Sequence, residues 1–116
     1  MKLTPTGDPF QVGIAMVRIR RDPDSQTQTI ALSGGLDLEN AGEIDAELRR
    51  LEEDGAEKVV LDLSDLDFID STGISMLLSA ATRSAGSDRL EVRRSQSPDV
   101  DRLLELTGVG PHLPYR

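Results

Sequence analysis

Asp70-Ser71-Thr72-Gly73 has the strongest claim to chemistry in this chain. It follows the apolar run Val59-Val60-Leu61-Asp62-Leu63 and precedes Ile74, Leu77 and Leu78 at helical spacing. A buried strand and a loop thus deliver a hydroxyl to the start of a helix. Unpaired backbone N–H groups and the positive end of the helix dipole meet there, and they hold either a side-chain oxygen or a phosphate. Two roles for Ser71 follow. In one, Asp70 or Ser71 is the N-cap, with Thr72 in the first turn. In the other, Ser71 is a phosphoacceptor projecting from a helix start that Gly73 leaves bare, and a phosphate would add about −1.5 to −2 charges beside Asp67 and Asp70.

The other reactive side chains offer little. His112 is the only histidine and stands between Pro111 and Pro114, so a Ser/His/Asp arrangement would draw its base from the least constrained segment. It reads as an exposed tail residue. There is no cysteine, which excludes disulfides, thiolate metal sites and cysteine nucleophiles. Asp62, Asp65, Asp67 and Asp70 match no calcium loop and lack a histidine, and strand alternation points some of them apart. No phosphate-cradling Gly-rich loop with a Lys-Ser/Thr ending occurs, and Leu77 breaks any Gly-x-Ser-x-Gly elbow at Gly73-Ile74-Ser75. No catalytic, metal or cofactor-binding residues are assigned.

Composition bounds what can position the serine. The 116 residues suit one domain. A hydrophobic fraction of 37% with two Phe, one Tyr and no Trp predicts an aliphatic α/β core. Few aromatics and a net charge of −8 argue against direct nucleic-acid binding. Thirteen of the 21 acids lie between Asp37 and Asp70 against three bases, which reads mainly as a solvated helix face. No apolar run reaches the length of a membrane span, so a cytoplasmic location is expected.

Residues 1–10, with Pro5, Gly7 and Pro9, read as a flexible lead-in to a single domain over 11–116. A first strand is expected from Val12 to Ile19, a polar turn over Arg20–Ser25, and a second strand over Gln28–Ser33 closed by Gly34-Gly35. Asn40 and Glu43 have capping-box spacing before a helix that buries Ala41, Ile44, Leu48 and Leu51 and stops at Asp54-Gly55. Lys58–Leu63 predicts a central strand, parallel to the second through a right-handed crossover. The helix from Ser71 to about Ala85 should bury Ile74, Leu77, Leu78 and Ala81. An edge strand over Arg89–Arg93 and a helix opened by Ser97-Pro98 and stopped by Gly108 complete the order, with a short extended tail.

Four segments together, Ser33-Gly34-Gly35-Leu36-Asp37, Val59 to Ser64, Phe68-Ile69-Asp70-Ser71-Thr72-Gly73 and Leu104 to Val109, resemble the STAS domain, specifically bacterial anti-sigma factor antagonists. The resemblance spans nearly the whole chain. It implies an α/β fold of SpoIIaa type, a mixed sheet of about four to five strands with helices packed mainly on one face. It also implies a partner-switching protein, not an enzyme, without a cofactor of its own. The unphosphorylated antagonist would bind an anti-sigma factor of the histidine-kinase-like ATPase type and release a sigma factor. That kinase would phosphorylate Ser71, and a phosphatase would reverse the change. Asp37, Asp70, Ser71, Thr72, Gly73 and Ile74 are the implied partner-binding residues, on a monomer or weak dimer.

The chain departs from the family pattern where Gly73-Ile74-Ser75 replaces Gly-Leu-Gly and where Gly34-Gly35 replaces Gly-Glu. A STAS scaffold or transporter-associated regulatory subunit, binding a different ATPase, is the main alternative. A small enzyme or ligand-binding domain built on the acidic loop is the other.

Overall fold

The computed structural model describes residues 8–22 and 26–116. Five strands and three helices alternate: β1 Phe10–Val12, β2 Ala15–Asp22, β3 Thr27–Leu36, α1 Ala41–Glu53, β4 Lys58–Ile69, α2 Ser71–Arg83, β5 Leu90–Arg93 and α3 Pro98–Leu106. Strand order is β1-β2-β3-β4-β5, antiparallel from β1 to β3 and parallel from β3 to β5. This is the mixed α/β sheet expected from the sequence. The parallel connections β3–α1–β4 and β4–α2–β5 step the same way across the sheet, so crossovers of one hand carry both helices to one side.

Alternation along the strands assigns the two faces. Ala15 and Val17 on β2, Ile30 and Leu32 on β3, and Val59, Leu61 and Leu63 on β4 are buried and join one cluster with Ile44 and Leu48 of α1, Leu77 and Ala80 of α2, and Val100 and Leu104 of α3. Met16, Arg18 and Arg20 point the other way and are exposed. Near the edge of that outer face Lys58 pairs with Glu91 at 2.8 Å, and the hydrogen bond from lysine holds the Glu91 carboxyl below its usual range.

Several local expectations need correction. The first strand is broken at Gly13-Ile14, so that β1 folds back on β2 as a narrow hairpin. β2 runs on to Asp22, taking in Arg20 and Arg21 that were assigned to the turn; the rest of that turn, 23–25, lies outside the described residues, as do 1–7 of the lead-in. Gly34-Gly35 does not end β3. Gly34 takes φ +86°, and a Cβ there would lie 2.3 Å from the Ile14 carbonyl oxygen, so the glycine lets the hairpin turn cross close over the strand.

β4 is twice as long as expected, reaching Ile69 because two bulges keep it paired. Ala31 faces Asp62 but Ser33 faces Asp65, and Gly34 faces Leu66 but Gly35 faces Phe68, so β4 spends an extra residue at each step. The first bulge places Asp62 and Asp65 on the same outer face, where simple alternation would separate them.

In α2 Leu78 is exposed and Met76 takes a buried place. The acidic face of α1 is more than solvated charge, since Arg83 of α2 reaches Asp45 at 3.2 Å and Glu52 at 3.3 Å. The tail forms the expected extended contact: Tyr115 bridges to Val92 on the outer edge of β5.

Candidate functional site

The parallel strands β3 and β4 end together, Leu36 beside Ile69, and from their ends the chain enters the loop 37–40 and helix α2. Ser71 is the first residue of α2 and is exposed. The cap is Asp70. Its Oδ1 accepts the Thr72 N–H at 2.9 Å and the Gly73 N–H at 3.1 Å, while Oδ2 accepts the Leu38 N–H at 3.1 Å. One carboxylate therefore closes the helix start and ties it to the neighbouring loop. The Ser71 hydroxyl has no hydrogen-bond partner among the described residues.

The loop holds itself rigidly. Asp37 Oδ1 accepts the Glu39 N–H at 3.0 Å, and the Asp37 carbonyl accepts the N–H groups of Asn40 and Ala41. Asn40, expected to cap α1, makes no cap bond with its side chain. It is fully buried; its Oδ1 accepts the Asp37 N–H at 2.8 Å, and its Nδ2 donates to the carbonyls of Gly35 at 2.8 Å and Val12 at 3.1 Å. The residue stitches β1, β3 and the loop together, its buried amide spending both N–H donors on backbone carbonyls. The Gly35 carbonyl lies five residues away, but the Val12 carbonyl, 28 residues away, is brought in by the fold.

The structure separates the six partner-binding residues of the sequence reading. Asp37, Asp70, Ser71 and Thr72 lie at the rim, half-buried or exposed. Gly73 and Ile74 are buried behind it. A Cβ at Gly73 would meet the Leu36 carbonyl oxygen at 2.6 Å and Ile69 Cγ1 at 2.9 Å, so this glycine admits the end of β3 and not an outside partner. Leu38, 74% exposed, is a rim residue that sequence reasoning missed.

Among the described residues no group of three or more His, Cys, Asp or Glu side chains could hold a metal ion, and His112 sits exposed in a short 3-10 turn, Gly110–His112. Nor is any described helix long and apolar enough to cross a membrane.

A mixed sheet backed by helices on one side, with an exposed serine following the Asp70 cap at a helix start, defines a small α/β domain. The chain belongs to the STAS domain family: the family model described as "Mlab, STAS domain" matches residues 19–114. No curated protein matches it. Among solved structures it is similar to an anti-sigma factor antagonist from Mycobacterium paratuberculosis, at 20% identity over 87% of this chain and 84% of that one, with a TM-score of 0.75.

The unphosphorylated form of the anti-sigma factor antagonist SpoIIAA gives 24% identity over 86% and 87% of the two chains, with a TM-score of 0.67. The phosphorylated form of the Bacillus cell fate determinant SpoIIAA gives 22% over 86% and 90%, at 0.61. Identities this low establish a shared fold.

Proposed function

We propose that this chain is an anti-sigma factor antagonist, a binding protein and not an enzyme, switched by reversible phosphorylation of Ser71. The observation that carries the reading is the division of labour at α2: Asp70 takes the cap bonds, and the serine hydroxyl is left exposed and unbonded. A phosphate on Ser71 would find the Thr72 and Gly73 N–H groups already occupied. It would therefore stand in solvent beside Asp70 and Asp37, altering the charge of the rim without dismantling the helix.

In its unmodified state the rim, with Leu38 as an apolar contact and Asp37, Asp70 and Thr72 around it, docks on an anti-sigma factor of the histidine-kinase-like ATPase type. ATP is bound by that partner, and a phosphatase restores the free serine. The phosphate weakens rebinding through repulsion and desolvation. One of the structurally similar proteins is known in both phosphorylated and unphosphorylated forms, which agrees with such a switch. The reading places the protein in the cytoplasm.

The test incubates the chain with candidate kinase-type partners and ATP and maps phosphate by mass spectrometry. Modification at Ser71, lost in Ser71→Ala, is the expected result; phosphate that persists elsewhere in that variant sinks the assignment. Ser71→Asp should weaken the complex, and unchanged affinity would count against a charge switch.

A second reading rests on the matching family model, whose description is Mlab and not an antagonist. In it the same rim regulates a different ATPase as a STAS scaffold or transporter-associated subunit. Affinity capture that returns a transporter ATPase and no kinase-type anti-sigma factor favours this reading.

A further inference from the structure

The outer face of the sheet carries a pattern the rim does not use. Met16, Arg18, Arg20, Ser33, Asp62 and Asp65 line an open basin of about 440 Å³ there. The strand register fixes one row across it: Arg18 on β2, Ala31 on β3, Asp62 on β4 and Arg93 on β5. A stripe of positive charge on β2 and a stripe of negative charge on β4 thus flank a central strand of small residues. Arg18 and Asp62 are two strand spacings apart, about 10 Å, and make no ion pair with each other within one copy.

Among the described residues Arg18, Arg20 and Arg93 make no ion pair, whereas Lys58 and Glu91 on the same face satisfy each other. Towards the rim the face turns apolar. Ile14 is 53% exposed and Phe68 48%, and both lean over Gly35, where a Cβ would meet Ile14 Cδ1 at 2.5 Å and Phe68 Cδ2 at 3.1 Å.

We propose that two copies of this chain associate face to face through this side of the sheet, about a two-fold axis running along β3. Rotation about that axis carries the β2 stripe of one copy over the β4 stripe of the other. Arg18 of each copy then faces Asp62 of its mate, and Ile14 faces Phe68, twice over. Ala31 and Ser33 lie on the axis, where small side chains permit close approach, and Ile14 and Phe68 cover the axis at Gly35. The pattern is self-complementary, as an isologous interface requires, and the aligned sheets pack as in a sandwich.

The contact is modest. Five strands spaced about 4.8 Å apart and about eight residues of about 3.3 Å each cover roughly 500 Å² per copy. The total of roughly 1,000 Å² stands at the lower limit for a specific interface, so the dimer is weak and salt-sensitive. Because the axis follows the strands, both Ser71 rims emerge at the same end, side by side and uncovered. The association does not depend on what Ser71 does.

Sedimentation of the full chain tests this. At low ionic strength and high concentration a dimer should form and then dissociate as salt is added. Arg18→Asp and Asp62→Arg should each raise the dimer dissociation constant about tenfold or more, because two related contacts become repulsive. An equimolar mixture of the two variants should restore association as a heterodimer, since each supplies the charge the other lacks. Arg18 is exposed and Asp62, which also accepts the Ser64 N–H at 2.9 Å, lies outside the core, so circular dichroism checks that both variants fold. A chain that stays monomeric at the highest soluble concentration overturns the proposal. So does a dimer that survives both reversals, or a mixture that fails to associate.

Discussion

Two helices of this protein begin beside a serine, and the chain uses the two serines in opposite ways. At α3 the serine is the cap: Ser97 takes an extended conformation, its Oγ accepts the Val100 N–H at 3.4 Å, and Pro98 follows in the first turn. At α2 Asp70 holds the equivalent place, and Ser71 is pushed one residue into the helix with its hydroxyl unbonded. The third helical position differs as well. Val100 drives a side chain into the core, whereas Gly73 presents none and brings α2 against the end of β3. A serine spent on capping is structural; one displaced by a stronger acceptor is left available for modification.

The contrast breaks most severely at the glycine. Gly73→Ala sets a methyl group 2.6 Å from the Leu36 carbonyl, a backbone atom with little room to retreat. Overpacking of this kind costs about 3 kcal/mol, and chemical denaturation should show it as a lower midpoint with little change in slope. Wild-type stability in this variant would mean that α2 is not pressed against β3 as described.

Asp70→Ala comes next, because it frees the Thr72, Gly73 and Leu38 N–H groups together. Cap removal alone is worth about 1–2 kcal/mol, and the lost tie to the loop places the cost at the upper end, about 2 kcal/mol. Asp70→Ser makes α2 resemble α3: a hydroxyl can keep the cap but cannot also hold Leu38. Its midpoint should lie between wild type and Asp70→Ala, and one equal to Asp70→Ala would show that a hydroxyl cannot cap α2.

Much of this contrast was legible in the sequence, and the illegible part has a consistent physical origin. Helix starts depend on neighbours three residues away, so Ser97-Pro98 and Asp70-Ser71 announce their helices directly. The same local view left open whether Asp70 or Ser71 caps, because both are good acceptors and only the observed backbone decides. Phe68, Asp62 and Asp65 were placed by bulges, which arise when a partner strand fixes the register and leave no mark on either strand alone. Asn40 misled for the related reason that its local promise as a cap lost to the nearby Asp37 N–H and Gly35 carbonyl and the distant Val12 carbonyl. Gly73 was read as leaving the helix start bare, and the approach of the end of β3 to it is visible only in the fold.

The smaller effects sharpen the comparison at its centre. Ser97→Ala removes a cap whose single bond is long, at 3.4 Å, and should cost about 1 kcal/mol. Ser71→Ala removes a hydroxyl with no intramolecular partner and should shift stability by no more than about 0.5 kcal/mol in either direction. The two substitutions delete the same atom, from an exposed helix start at Ser71 and a half-buried one at Ser97, so thermal denaturation of the pair under one condition shows what the cap bond adds. A drop at Ser71 as large as that at Ser97 would mean that its hydroxyl shares in the cap. The serine would then lose a structural bond on phosphorylation, and the modification would unsettle the helix start as well as charge the rim. A drop at Ser97 alone leaves Ser71 as a residue the fold can spare, the condition under which a phosphate can come and go without unfolding the domain that carries it.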